Sequence, residues 1–210
     1  MSNFPLSGLT YPNRGARALL LGLEDLIGRH GLDTVFKIAS LDHWAVEFPP
    51  DNLERDVDFA QLTALTHGLI EMYGMRSGPG LARQAVRATF VKTWGDQGLL
   101  ADLKDQRFTS LPIEQQLEVG GMAAVRVFNE LGNTGAKFTT SHGEVSFEFE
   151  NCPYCVGMKS NSPICGGSAG WVEGVLALIG AESRYAVSEV SCSAMGDTCC
   201  KFVVKPLRIE

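Results

Sequence analysis

Apolar residues recur with helical spacing through the first two thirds of the chain. The clearest case is the segment 113–131, where Ile113, Leu117, Gly120, Ala124, Phe128 and Leu131 share one stripe. The same periodicity predicts helices over residues 14–30, 33–41, 59–73 and 81–94. Gly31 and the segment 74–80 are the predicted breaks between them.

The spacing changes to two after residue 135. Val145, Phe147 and Phe149 alternate with polar residues, which predicts a strand with one buried face. A turn at His142–Gly143 is predicted to pair this strand with residues 136–141. An apolar helix over 170–179 and strands over 185–192 and 199–204 are expected to follow.

This order of elements predicts the fold class α+β, with N-terminal helices packed on a C-terminal antiparallel sheet that carries one further helix. No repeat or linker divides the chain. We therefore predict a loosely held N-terminal arm over residues 1–12 and a single domain over residues 13–210.

The composition excludes several classes of protein. Hydrophobic residues make up 45% and charged residues 20%, the balance of a globular domain. A net charge of −6 argues against a nucleic-acid partner, because such binding needs a basic surface. No apolar run reaches the roughly 18 residues of a membrane span, and the stretch 18–23 is too short for a signal peptide. We predict a cytoplasmic protein whose thiols stay reduced.

The candidate chemistry lies in the C-terminal quarter, which contains all six cysteines. Clustered reduced cysteines favour a metal site over disulfides, and zinc takes four ligands from thiolate, imidazole or carboxylate groups. This segment offers more than four donors, so some are expected to be spectators. The candidate metal ligands are Cys152, Cys155, Cys165, Glu189, Cys192 and Cys200.

Strand geometry limits which donors can meet. Cys199 and Cys200 are adjacent, so a regular strand points them to opposite faces and only one can join a given site. Glu189 and Cys192 are three residues apart, which also places them on opposite faces of an ideal strand. Both can bind one metal only if the strand ends or bulges near Ser191.

Two other interpretations of the cysteines stay open at this point. Buried thiols can act simply as small apolar residues. The Cys152–Pro–Tyr–Cys155 spacing also occurs in redox pairs, although such a pair normally opens a helix and this one follows a strand.

The C-terminal motif resembles the 4-vinyl reductase domain family. That family includes the bacteriochlorophyll-synthesis protein of that name, hydrocarbon-binding proteins and the sensor domains of aromatic-responsive activators. The resemblance covers residues 147–204. It is carried by Cys165, Gly170-Trp171, Gly174, Glu189-x-x-Cys192, Ala194-Met195-Gly196-Asp197 and Cys200-x-Phe202.

The resemblance implies a TRAPP-like α+β fold with a hydrophobic chamber between helices and sheet. It also implies a zinc ion bound at the positions Cys165, Glu189, Cys192 and Cys200. Cys152 and Cys155 are additional to the sensor pattern, and either replace a ligand or form a pair of their own. Thiolate-rich zinc with four protein ligands is a closed structural site rather than a catalytic one.

Residues suited to an apolar ligand are spread along the chain. Aromatic candidates for the chamber lining are Trp44, Phe90, Trp94, Phe128, Phe147 and Trp171, for each of which core packing is the alternative. Arg83 and Arg87 lie one helical turn apart and are candidates to clamp carboxylates such as tetrapyrrole propionates, with a solvated helix face as the alternative. No complete dinucleotide-binding or P-loop motif is present, so no nucleotide cofactor is predicted.

These observations lead to three hypotheses. The first is a non-enzymatic binding protein or carrier for a hydrophobic small molecule, a tetrapyrrole intermediate of (bacterio)chlorophyll synthesis in photosynthesis, with a structural zinc site. The second is a 4-vinyl reductase acting on divinyl (proto)chlorophyllide with an external electron source. The third is a protein-interaction subunit. The sequence leaves open whether the chain forms a homodimer.

Overall fold

The computed structural model describes residues 4–96, 99–141 and 144–207. The predicted turn at His142–Gly143 lies outside the described residues. The helices are α1 (Asn13–Ala39), α2 (Asp42–Val46), α3 (Phe59–Phe90), α4 (Gln106–Thr109), α5 (Ile113–Leu131) and α6 (Gly166–Leu178), with a π-helical segment at Val91–Asp96 and short 3-10 turns at Ala101–Lys104 and Ser193–Met195. The strands are β1 (Thr10–Tyr11), β2 (Val57–Asp58), β3 (Ala136–Ser141), β4 (Glu144–Phe149), β5 (Tyr185–Ser191) and β6 (Cys200–Pro206).

The α+β prediction is confirmed, because the helices precede and cover a four-stranded antiparallel sheet. The strand order is β3-β4-β6-β5, so the two edges are β3 and β5. Phe147 is paired with Phe138 on one side and with Phe202 on the other. These aromatic rows give the sheet a buried face toward α6. Every helix within the described ranges is too short or too polar to span a bilayer.

Two glycines bend the long helices. Gly28 interrupts α1 with φ 71 and ψ 163, and Gly74 interrupts α3 with φ 85 and ψ 163. A positive φ is readily adopted by glycine, because it has no Cβ. The predicted break at 74–80 is therefore confirmed at its first residue, after which the helix resumes at once. The predicted stop at Gly31 is wrong by three residues, since the bend falls at Gly28.

The N-terminal arm is attached to the body of the protein. Thr10 and Tyr11 pair with Asp58 and Val57, and the Asp58 carboxylate accepts from the backbone N–H groups of Ser7 and Gly8. Tyr11 is buried. The expectation of a loosely held arm is therefore wrong for residues 7–11, because a strand contact that is distant in sequence holds them.

Helix α6 packs closely on α3 along a stripe of small residues. A methyl group added at Gly166, Gly170 or Gly174 would collide with the Pro79 carbonyl, the Arg83 carbonyl or the Phe90 ring of α3, respectively. Such close approach lets the two backbones pack with little space between them. The position of α6, and therefore of everything it carries, is set by this contact.

We expect Gly170→Ala to lower the free energy of unfolding by about 1–3 kcal/mol, because its methyl group meets a main-chain oxygen that cannot swing aside. Gly80→Ala is the matched control, since a methyl group there meets no atom within 4 Å and alanine favours a helix by about 0.5–1 kcal/mol over glycine. Urea denaturation of both variants checks the prediction. Equal stabilities would contradict the close packing of α6 on α3.

Candidate metal centre and aromatic cluster

Five of the six cysteines meet at one end of the sheet. Cys152 and Cys155 lie in the loop after β4, Cys165 immediately precedes α6, Cys192 follows β5, and Cys200 begins β6. All five are buried, whereas Cys199 is half-buried and belongs to no group of candidate metal donors in the described chain. The prediction that only one of the two adjacent cysteines joins the cluster is thus confirmed.

The thiol sulfurs lie within reach of one another. The Sγ of Cys165 is 3.5 Å from that of Cys192 and 3.6 Å from that of Cys200, and the Cys155 and Cys200 sulfurs are 3.5 Å apart. Two thiolates on one tetrahedral zinc lie about 3.8 Å apart when the Zn–S bond is about 2.3 Å. The observed spacing therefore fits metal ligation.

Glu189 joins this cluster through an irregular strand. The pairing of β5 with β6 shifts register between Glu189 and Ser191, which confirms the bulge that the sequence required for Glu189 and Cys192 to converge. The Oε2 atom of Glu189 accepts from the backbone N–H of Cys165 at 3.0 Å. Its Oε1 atom is buried and has no hydrogen-bond partner in the described parts of the chain.

The electrostatics of Glu189 indicate a missing positive charge. Burial raises the pKa of this carboxyl to about 9, and the negative charge of Cys192 raises it further. A buried carboxylate oxygen without a partner is costly unless a cation or a donor satisfies it. The carboxylate and the thiolates together form the donor set that a thiophilic divalent ion prefers.

Two groups of donors satisfy the distance requirement for a metal. One consists of Cys152, Cys155, Cys165 and Cys200, and the other of Cys165, Glu189, Cys192 and Cys200. In each group the ligand atoms all lie within 4.8 Å of one another. The structure therefore brings together all six predicted ligands, and the four that the resemblance implied form one complete group.

Further contacts, which the sequence analysis did not identify, orient these ligands. Ser168 places its Oγ 3.3 Å from the Cys152 sulfur, Asp197 accepts from the Cys192 N–H at 2.8 Å, and the Ser193 N–H lies 3.3 Å from the Cys200 sulfur. Polar neighbours of this kind hold metal ligands in position. Ser168 follows Cys165 by three residues in the first turn of α6, so helical spacing was the signal that could have indicated it.

Several predicted ligand-lining residues meet around one ring. The ring centroid of Trp171 on α6 lies 4.4 Å from that of Phe128, 5.7 Å from that of Phe90 and 6.2 Å from that of Phe147. Phe149, which the sequence analysis treated only as strand core, lies 6.0 Å away. We call these five residues the Trp171 cluster. It fills the space between α3, α5, α6 and the sheet.

Two predicted aromatic residues lie apart from this cluster. Trp44 on α2 packs against Phe36 of α1, with ring centroids 6.1 Å apart. Trp94, in the π-helical segment, lies against Gly15 near the start of α1. Both are buried, and their neighbours are those of core residues.

The two predicted clamp arginines have different surroundings. The Arg83 guanidinium donates to the Glu173 carboxylate at 2.6 Å and to the Val187 carbonyl at 2.9 Å. The hydrogen bond to Glu173 raises the pKa of Arg83 above its usual value. Arg87 is exposed. Arg83 thus connects α3 to α6 and β5.

We expect Arg83→Met to destabilise the protein by about 1–2 kcal/mol, because it leaves the mostly buried Glu173 carboxylate without its cation. Arg87→Met, on the same helix, is the control and should change stability by no more than about 0.5 kcal/mol. Thermal unfolding of the two variants measures the difference. A loss of similar size in both would contradict the connecting role of Arg83.

Comparison with known proteins supports the motif resemblance. Residues 145–206 match the family model of the vinyl-4-reductase domain, and the match spans β4, α6, β5 and β6 and includes the whole cysteine cluster. A search of curated proteins found no match.

Solved structures resemble the fold over most of the chain. A mutant H-NOX protein from T. tengcongensis superposes with a TM-score of 0.57 at 15% identity, covering 94% of this chain and 98% of that one. A structure from a study of haem distortion in the H-NOX family has a TM-score of 0.54 at 16% identity, covering 95% and 98%. The phenol-responsive sensory domain of the transcription activator PoxR, solved with phenol, has a TM-score of 0.51 at 17% identity and covers 73% and 77%.

Proposed function

We propose that this protein binds a hydrophobic small molecule at the Trp171 cluster and that a structural zinc ion fixes the walls of that site. The ligand class that we propose is a tetrapyrrole intermediate of (bacterio)chlorophyll synthesis, which the protein carries without transforming it. The observation on which this proposal rests is the position of Trp171. It lies at the centre of the buried aromatic cluster, on the helix whose first turn borders the cysteines.

The two halves of the site are mechanically connected through α6. Cys165 lies immediately before the helix, and its carbonyl accepts the N–H of Ala169 in the first turn. Trp171 follows on the same helix. A metal bound to Cys165 therefore fixes the end of the helix that presents Trp171 to the ligand.

Ligand entry requires the aromatic rings to separate. Phe128 on α5 packs against Trp171 with ring centroids 4.4 Å apart, and both side chains are buried. A planar ligand takes the place of this contact when α5 moves away from α6. Local rearrangement on binding is common in regulatory and ligand-sensing proteins.

The comparisons support an aromatic ligand. The vinyl-4-reductase domain match includes Trp171 and the candidate metal ligands. Among proteins with a similar fold, one was solved with phenol and others are described with haem. Haem is itself a tetrapyrrole, so this fold accommodates a macrocycle of that class in other proteins.

The donors of the cysteine cluster fit zinc. Cys165, Cys192 and Cys200 supply three thiolates and Glu189 supplies a carboxylate whose free oxygen is buried. Four protein ligands leave no open position for a substrate. When bound, zinc supplies a crosslink among the loop before α6, the bulge after β5 and the start of β6.

Titration of the purified protein with protochlorophyllide tests the ligand proposal. We expect a saturable absorbance shift at micromolar pigment and quenching of tryptophan fluorescence. Phe128→Trp should weaken binding by overfilling the cluster, whereas Phe48→Trp, which lies against Phe36 outside the cluster, should not. No shift in the wild type would contradict a tetrapyrrole ligand, and a monovinyl product formed from divinyl pigment with NADPH would replace the carrier by a reductase.

A further inference from the structure

The two candidate donor groups share two of their members. Cys165 and Cys200 belong to both, whereas Cys152 and Cys155 complete one group and Glu189 and Cys192 complete the other. Six donors are thus arranged as two terminal pairs on either side of a central pair. A single tetrahedral ion can use only four of these six donors.

We propose that the cluster holds two divalent zinc ions joined by the bridging thiolates of Cys165 and Cys200. The first ion is bound by Cys152 and Cys155, the second by Glu189 and Cys192, and both by the central pair. This inference rests on the metal site proposed above and adds a second ion to it.

The donor count and spacing match such a centre. Two tetrahedral ions that share two ligands need six donors in total, and the cluster supplies six with none left over. The bridging sulfurs are 3.6 Å apart, close to the roughly 3.8 Å expected for two thiolates on one zinc. The Cys155 and Cys192 sulfurs lie 3.5 Å from Cys200 and Cys165, respectively.

Charge also favours two ions over one. Five thiolates and one carboxylate carry six negative charges when all are ionised, and two zinc ions reduce this to two. That is the net charge of one zinc with four thiolates, a common structural site. One ion would leave either Glu189, with its buried unpartnered oxygen, or the Cys152 and Cys155 pair without a metal.

Each half of the proposed centre borders a different surface groove. Cys152 and Cys155 line one groove together with Met158 and Met195. Glu189 lines another, beside Arg83 of α3. Each ion therefore has its own route from solvent, as a two-ion site filled in separate steps requires.

Zinc content of the purified full chain tests the proposal. After gel filtration in chelator-free buffer, elemental analysis should give two zinc ions per chain. The double variant Cys152→Ser/Cys155→Ser and the single variant Glu189→Gln should each retain one. Cys199→Ser should retain two, because Cys199 belongs to neither group.

A second measurement needs no variant and tests the bridge itself. The apo-protein reconstituted with Co²⁺ should bind two ions, and the magnetic moment per ion should fall below that of an isolated tetrahedral Co²⁺, because bridging thiolates couple the spins. Two ions with independent moments would overturn the bridge. One ion per chain would overturn the second site while leaving the structural zinc intact, and no bound metal would overturn both.

Discussion

Cys200→Ser is expected to abolish the metal centre and to lower the melting temperature by about 10 °C or more. Cys200 belongs to both donor groups and connects β6 to the loop after β4 and to the start of α6. Structural zinc contributes many kcal/mol to folding, and each kcal/mol corresponds to about 2–4 °C for a domain of this size. Calorimetry combined with elemental analysis of the same sample checks both effects.

The neighbouring residue supplies the control for that experiment. Cys199→Ser alters a half-buried thiol outside the cluster, so zinc content and melting temperature should remain close to wild type. Retention of full zinc and full stability in Cys200→Ser would show that the cysteines are ordinary core residues.

Trp171→Ala is expected to lower the free energy of unfolding by about 3–5 kcal/mol, which corresponds to a fall in melting temperature of about 6–20 °C. Trp171 is buried and its ring contacts Phe128, Phe147 and Phe149, so its removal leaves a cavity among aromatic rings. Pigment binding should be lost as well. Thermal unfolding and the protochlorophyllide titration measure the two effects.

A conservative variant separates the two roles of Trp171. Trp171→Phe keeps an aromatic ring and should recover most of the stability, with pigment affinity only partly reduced. If Trp171→Ala were as stable as the wild type, the cluster would not be a packed centre of the fold, and the proposed ligand site would lose its basis.

Elements with strong local patterns were predictable from the sequence. The bounds of α5 at Ile113 and Leu131 agree with the prediction at both ends, because its apolar stripe is regular and Pro112 precedes it. The register shift between Glu189 and Ser191 was inferred from chemistry alone, since a carboxylate and a thiolate three residues apart cannot otherwise share a metal.

Other elements depended on contacts that no local pattern reveals. Helix α6 begins at Gly166, four residues before the predicted start, because Gly166 and Gly167 pack closely against Pro79 and Tyr154. Consecutive glycines are typical of a loop, and tertiary packing overrides that preference here. The bend in α1 falls at Gly28 rather than Gly31, after which the buried residues Leu32, Val35 and Phe36 continue the helix.

The candidate site divides in the same way. The metal donors lie close together in sequence and carry a recognisable motif, so their convergence was predictable. The ligand-lining aromatics come from distant elements, and sequence alone could not separate Phe128 and Phe147, which contact Trp171, from Trp44 and Trp94, which do not lie in that cluster.

X-ray absorption at the zinc edge of the freshly purified protein tests the metal centre most directly. We expect a first shell dominated by sulfur at about 2.3 Å, with a smaller oxygen contribution at about 2.0–2.2 Å from Glu189. A shell of light atoms only, or a folded protein that shows no zinc edge at all, would contradict a centre built from Cys165, Cys192, Cys200 and their neighbours.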